Sequence, residues 1–214
     1  MSKLKGLRKR TKDIMKKFIV LLIPIFIAFE SHAQLRFEDS IAIARNKLTK
    51  SAMLTLGSWA VANIGSGFIL ANNTSGEAKY AWQMNAYWNF INLGLAGLGY
   101  MGVRKMMGKR LDFTDNLKAQ HAMEKLYVFN AGLDLAYIAG GFYLRERGNS
   151  ESKLDKRDQF KGYGTSIIIQ GGFLLIFDIV NYSLHHRNTT RMYKKLKHWE
   201  LGSTPNGIGV TYRF

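Results

Sequence analysis

The chain has 214 residues, no cysteine and a formal charge of +16. That length suits one domain, no Pro-rich or Ser-rich linker divides it, and the missing thiols exclude disulfides, thiolate metal sites and cysteine nucleophiles. The charge suggests nucleic acid, but eight basic residues precede Phe18, and the 23 basic and 13 acidic residues after Ala33 sit in connections between apolar blocks; this suits a membrane surface and no nucleic-acid partner.

Residues 1–33 have the three parts of a secretory signal: a basic stretch ending at Lys17, an apolar run from Phe18 to Phe29, and the small-residue pattern Ser31-His32-Ala33. The apolar run of 12 residues contains Pro24 and is short of the roughly 20 that cross a bilayer. The mature chain is therefore expected to begin at Gln34; an uncleaved anchor is the competing reading. A start at Met15 would give a more usual basic region. From Gln34 to Lys50, Phe37, Ile41, Ala44 and Leu48 recur at helical spacing beside Arg45, Lys47 and Lys50. This predicts an amphipathic interfacial segment over 34–50.

The membrane domain is expected over 51–186. Ser51 to Gly76 and Tyr80 to Val103 carry no charge, Leu126 to Leu144 carries only Asp134, and Gly162 to His186 only Asp178. These 94 residues hold two of the 36 charges after Ala33, and each block is long enough for a spanning helix. The mean hydropathy of −0.13 fits a soluble bundle, yet soluble helices carry a charged outer face that these blocks lack. The fold class read from this is all-α, a four-helix transmembrane bundle.

The connections Arg104 to Lys125 and Arg187 to Lys197 are basic and read as interfacial, and Arg145 to Lys161 reads as a solvated loop. The basic tail, 187–214, ends with Ile208, Val210, Tyr212 and Phe214 in alternation. It predicts a short C-terminal β-hairpin, about Lys197 to Leu201 against Gly207 to Phe214, rather than an outer-membrane barrel. A cleaved signal places 16 basic connection residues outside the cytoplasm against seven inside, contrary to the positive-inside bias. The signal, a local three-part pattern, is followed here.

The run from Ala62 to Leu70 matches the run from Ala136 to Leu144 at five of nine positions, at an offset of 74, the mark of a duplicated helical hairpin or of chance likeness between Gly- and Ala-rich spans. Polar residues fall at helical spacing in the later blocks: Asn85, Asn89 and Asn92; Asn130, Asp134 and Tyr137; Gln170, Asp178, Asn181 and His185. Asn63, Asn92, Asp134 and Asp178 lie near mid-block, so antiparallel packing would bring them to similar depth. An ionised Asp there costs about 2.5 to 3.5 kcal/mol on insertion scales, so each must be protonated, paired or hydrated. The candidate intramembrane polar site is Asp134, Asp178, Asn63, Asn92, Asn130 and Gln170. Interhelical hydrogen bonding of about 0.6 kcal/mol per contact is the plainer role, favoured for the Asn residues. Gly132, Ala136 and Gly140 form a small-residue ridge expected to pack on a neighbouring helix.

His121 with Glu124, and His185 with His186, lack metal-site spacing, and no nucleotide loop or acyl-transfer elbow occurs. No metal, cofactor or enzymatic activity is expected. The runs Trp82-Gln83-Met84-Asn85, Trp88-Asn89, Asn92-Leu93-Gly94, Asn130 with Gly132-Leu133-Asp134, Tyr143 to Gly148, and Gln170 to Phe173 with Phe177-Asp178 resemble an uncharacterised family of bacterial four-span membrane proteins. The resemblance covers residues 50 to 190 and implies the bundle without an activity. The expected role is a membrane scaffold or assembly partner in the bacterial cell membrane, its partners the lipid bilayer, a second copy or another membrane protein. The alternative is a small proton- or cation-linked transport unit using Asp134 and Asp178.

Overall fold

The computed structural model describes residues 40–196, 199–204 and 207–212; the expected signal peptide, the expected start at Gln34 and the first residues of the expected interfacial segment lie outside them. Four helices follow in order: α1 (Ser40–Asn73), α2 (Gly76–Met106), α3 (Phe113–Asn149) and α4 (Leu154–Leu196). Two strands close the chain, β1 (Trp199–Thr204) and β2 (Gly207–Tyr212), paired antiparallel with Trp199 opposite Tyr212 and Thr204 opposite Gly207.

The helices outrun the uncharged blocks. At 1.5 Å per residue the 37 residues of α3 and the 43 of α4 are about 55 and 65 Å long, against roughly 30 Å of bilayer hydrocarbon. Residues 40–50, expected as a separate interfacial segment, are the first turns of α1. No Gly or Pro interrupts them, and Arg45 turns inward to α3. The connection expected over 104–125 shrinks to residues 107–112. Gly108 ends α2 there with φ +81, and the Asp112 carboxylate starts α3 by accepting from the Asp115 N–H at 2.7 Å. The loop expected over 145–161 is likewise four residues, 150–153. Lys153 N–H donates to Glu151 there, which holds that exposed carboxyl below its usual range. α4 also absorbs the first ten residues of the expected tail.

Glycines set the closest helix contacts, but not those of the expected ridge. A Cβ on Gly132 or Gly140 would meet nothing within 4 Å. Their face points away from the described helices, and Gly141, one position on, does the packing. Its added Cβ would meet Ile168 Cγ1 at 2.7 Å and Gly164 O at 2.8 Å, and one on Gly164 would meet Gly141 O at 2.5 Å. Gly148 and Gly171 are similarly tight, so α3 and α4 each present two glycines seven residues apart. Gly67, equivalent to Gly141 in the similar runs, meets Ala86 Cβ and Trp82 O of α2 at 2.8 Å.

The interior is polar and the outside apolar. Asn89 and Gln170 are fully buried, whereas Phe129 and Ile176 are 65% and 66% exposed. Two helices, α1 and the first 41 residues of α4, are long and apolar enough to cross a membrane by length and composition.

Candidate functional site

Asp134 of α3 and Asp178 of α4 are both buried, and their carboxyl groups face one another. They meet because Gly171, about two turns before Asp178, lets α4 approach the Asp134 backbone: its added Cβ would lie 3.1 Å from Asp134 O. Two carboxylates have no donor to share and repel one another, so such a pair is suited to holding a proton or a cation between them. Asp134 Oδ2 meets no donor from the surrounding described residues.

The pair opens on a cavity of about 650 Å³ between α2 and α3, floored by α1 and α4. Its walls are mainly apolar, with Leu95 and Val103 from α2, Met123 and Leu126 from α3, and Phe177 from α4. Trp88 and Tyr137 meet edge to face at 4.9 Å at one end. Met106, Ala119 and Arg45 lie at the other, about 27 Å away by helical rise. Asn92 and Asn130 are also on the wall, so four of the six predicted residues share the cavity.

The other two, Asn63 and Gln170, lie off the cavity in a hydrogen-bonded chain that reaches Asn92 through Asn89 and Asn85. Trp59 Nε1 donates to Gln170 Oε1 at 3.0 Å, Gln170 donates to Asn85 Oδ1, and Asn85 donates to Asn63 O at 3.2 Å. Asn63 in turn donates to Trp59 O at 2.8 Å, and Trp59 stacks on Phe173 at 3.8 Å. These groups satisfy one another, which assigns them to packing. The similar-depth argument fails for Asn63 because its face of α1 meets α2 rather than the carboxyl pair.

A second polar cluster, at the Arg45 end, was missed. Gln120 donates to His185 O at 2.8 Å and accepts from Asn188 at 3.0 Å, while Glu124 accepts from Thr189 and lies 3.4 Å from His186 Nδ1. The signal was present as Asn116, Gln120, Glu124 and Tyr127, and as His185, Asn188 and Met192, at helical spacing. It was hidden among charges read as interfacial. His121 faces Tyr193 instead, at 3.1 Å. Among the described residues no three His, Asp or Glu side chains gather as a metal site.

Arg45 is the unusual member of this end. It is 4% exposed, and Nη1 donates to Asn116 O at 3.2 Å and Asn116 Oδ1 at 3.1 Å. Nη2 has no partner, and no carboxylate pairs with the guanidinium among the described residues. Arg45 precedes the uncharged block, and its guanidinium carries a charge throughout the physiological range.

No curated protein and no solved structure matches the chain. A family model described as a family of unknown function, DUF6992, matches residues 55–179, which hold the carboxyl pair, most of the cavity wall and the close α3–α4 contact. The match spans more than half of the chain, and the protein therefore belongs to the DUF6992 family.

Proposed function

We propose that this chain is a multi-pass integral membrane protein, exported to the bacterial cell membrane, that holds a proton or cation at the Asp134–Asp178 pair. The observation that carries the reading is the contact of these two buried carboxyls on a cavity wall, with Asp134 Oδ2 lacking a donor. A site of that kind can release and take up a proton or accept a cation from the cavity. Membrane placement is supported by the polar interior and the large exposed apolar side chains. Water would penalise that surface and lipid would not.

Placement is tested by washing membranes with alkaline carbonate. The protein is expected to stay in the pellet, and release into the supernatant would refute a spanning bundle. The pair is tested in proteoliposomes carrying a pH gradient, with flux followed by an internal dye. Wild type is expected to dissipate the gradient, and Asp134→Asn and Asp178→Asn to do so at least about tenfold more slowly, because Asn keeps the size but cannot exchange the proton. A second reading, a scaffold without transport, is favoured by the mutually satisfied Asn and Gln chain. Wild type without flux, or equal flux from all three proteins, would leave the scaffold.

A further inference from the structure

A buried cation with an idle donor, at the end of an apolar cavity, is a receptor for an anion carried on an apolar chain. We propose that the cavity between α2 and α3 binds an anionic amphiphile, its carboxylate or phosphate held by Arg45 and its acyl chain laid along the apolar wall. The proposal rests on the membrane placement above and goes beyond the carboxyl pair.

Three observations support it. First, the forked guanidinium of Arg45 lines the cavity, and among the described residues it bonds the neutral Asn116 oxygens alone and leaves the buried Nη2 without a partner. A carboxylate or phosphate oxygen completes that fork and neutralises the buried charge in one contact, whereas a neutral ligand would leave it uncompensated. Second, the cavity volume of about 650 Å³ lies within the roughly 300 to 1,000 Å³ of small-molecule sites. Its shape is a groove, about 27 Å from Ala119 to Tyr137 by helical rise, which suits one extended chain. Third, the Arg45 end of the bundle carries Arg104 and Lys105 in the last turn of α2, Lys109 in the connection, and Lys118, paired with Asp115, and Lys125 in the first turns of α3. Their field draws anionic head groups to that mouth and repels cationic ones. The Asp pair at the far end limits chain length, since a longer tail would press methylenes against carboxyl groups.

Two sources share this chemistry, a free fatty acid and an anionic phospholipid of the bilayer. Purified full-length protein in mild detergent is titrated with dibromostearate, with a phosphatidylglycerol bearing dibrominated chains, and with the neutral methyl ester of dibromostearate. Bromine quenches tryptophan, and Trp88 stands on the cavity wall. Saturable quenching is expected from the two anions, at least tenfold tighter than from the ester, and Trp88→Phe should remove most of it. The tighter anion identifies the source. Arg45→Gln should weaken both anions at least tenfold, with Arg45→Lys between. Gly102→Phe fills the groove from a position where a Cβ meets nothing within 4 Å, so it should abolish binding with Arg45 intact. If Arg45→Gln fails to fold, Arg45→Lys and Gly102→Phe still decide. Equal binding of the ester, or full binding by Arg45→Lys and Gly102→Phe together, would overturn the proposal. Binding is read without flux, so failure of the carboxyl pair to transport leaves this result standing, and the reverse.

Discussion

Gly164→Leu should destabilise the bundle by about 3 kcal/mol or more, above the 1 to 3 kcal/mol typical of an overpacked core, while Gly140→Leu should change it by less than about 1 kcal/mol. The two positions look alike in the sequence, each a glycine within an apolar helix. They differ in what a side chain would meet. At Gly164 the added Cβ falls 2.5 Å from Gly141 O and 3.0 Å from Arg145 N, both backbone atoms on α3, so the helices themselves must separate. Separation would also loosen Gly171 against the Asp134 backbone and draw the two carboxyls apart. At Gly140 no atom lies within 4 Å, and leucine is the better helix former. Thermal unfolding of both variants in one detergent makes the comparison, and equal midpoints would show that the α3–α4 approach is looser than described.

The glycine contrast marks how far the sequence could be read. Uncharged blocks located all four helices because a charge inside such a block has no cheap partner. They did not locate the helix ends, because a charge costs little beyond the uncharged stretch and the helix itself has no reason to stop there. Hence residues 40–50 and 187–196 read as interfacial strips and are turns of α1 and α4. Asp134 and Asp178 were legible as a pair because two acids at similar depth on antiparallel helices have few places to go. Asn63 was not, since depth does not fix rotation about the helix axis. The same freedom misplaced the ridge by one residue, from Gly140 to Gly141. Arg45 was misread for a further reason: its partner Asn116 lies 71 residues away, in a stretch whose charges masked its buried face.

The largest structural consequence of that masked face concerns Gln120. Gln120→Leu keeps nearly the same volume at a fully buried position, yet it strands Asn188 Nδ2, whose acceptor is Gln120 Oε1 at 3.0 Å, and removes the donor to His185 O at 2.8 Å. A buried polar atom left without its partner costs about 1 to 3 kcal/mol; His185 O keeps its Thr189 donor, so the change should cost about 1 to 3 kcal/mol, chiefly for Asn188. Asn188→Leu strands the other side of the same bond and should cost about 1 to 3 kcal/mol. The double variant removes donor and acceptor at once. It should therefore be more stable than the sum of the single costs predicts, by about 1 kcal/mol or more. Unfolding of the four proteins in one detergent closes the cycle. Strict additivity would mean that Gln120 and Asn188 are each satisfied by water, and that the Arg45 end of the bundle is a hydrated vestibule rather than a packed polar core.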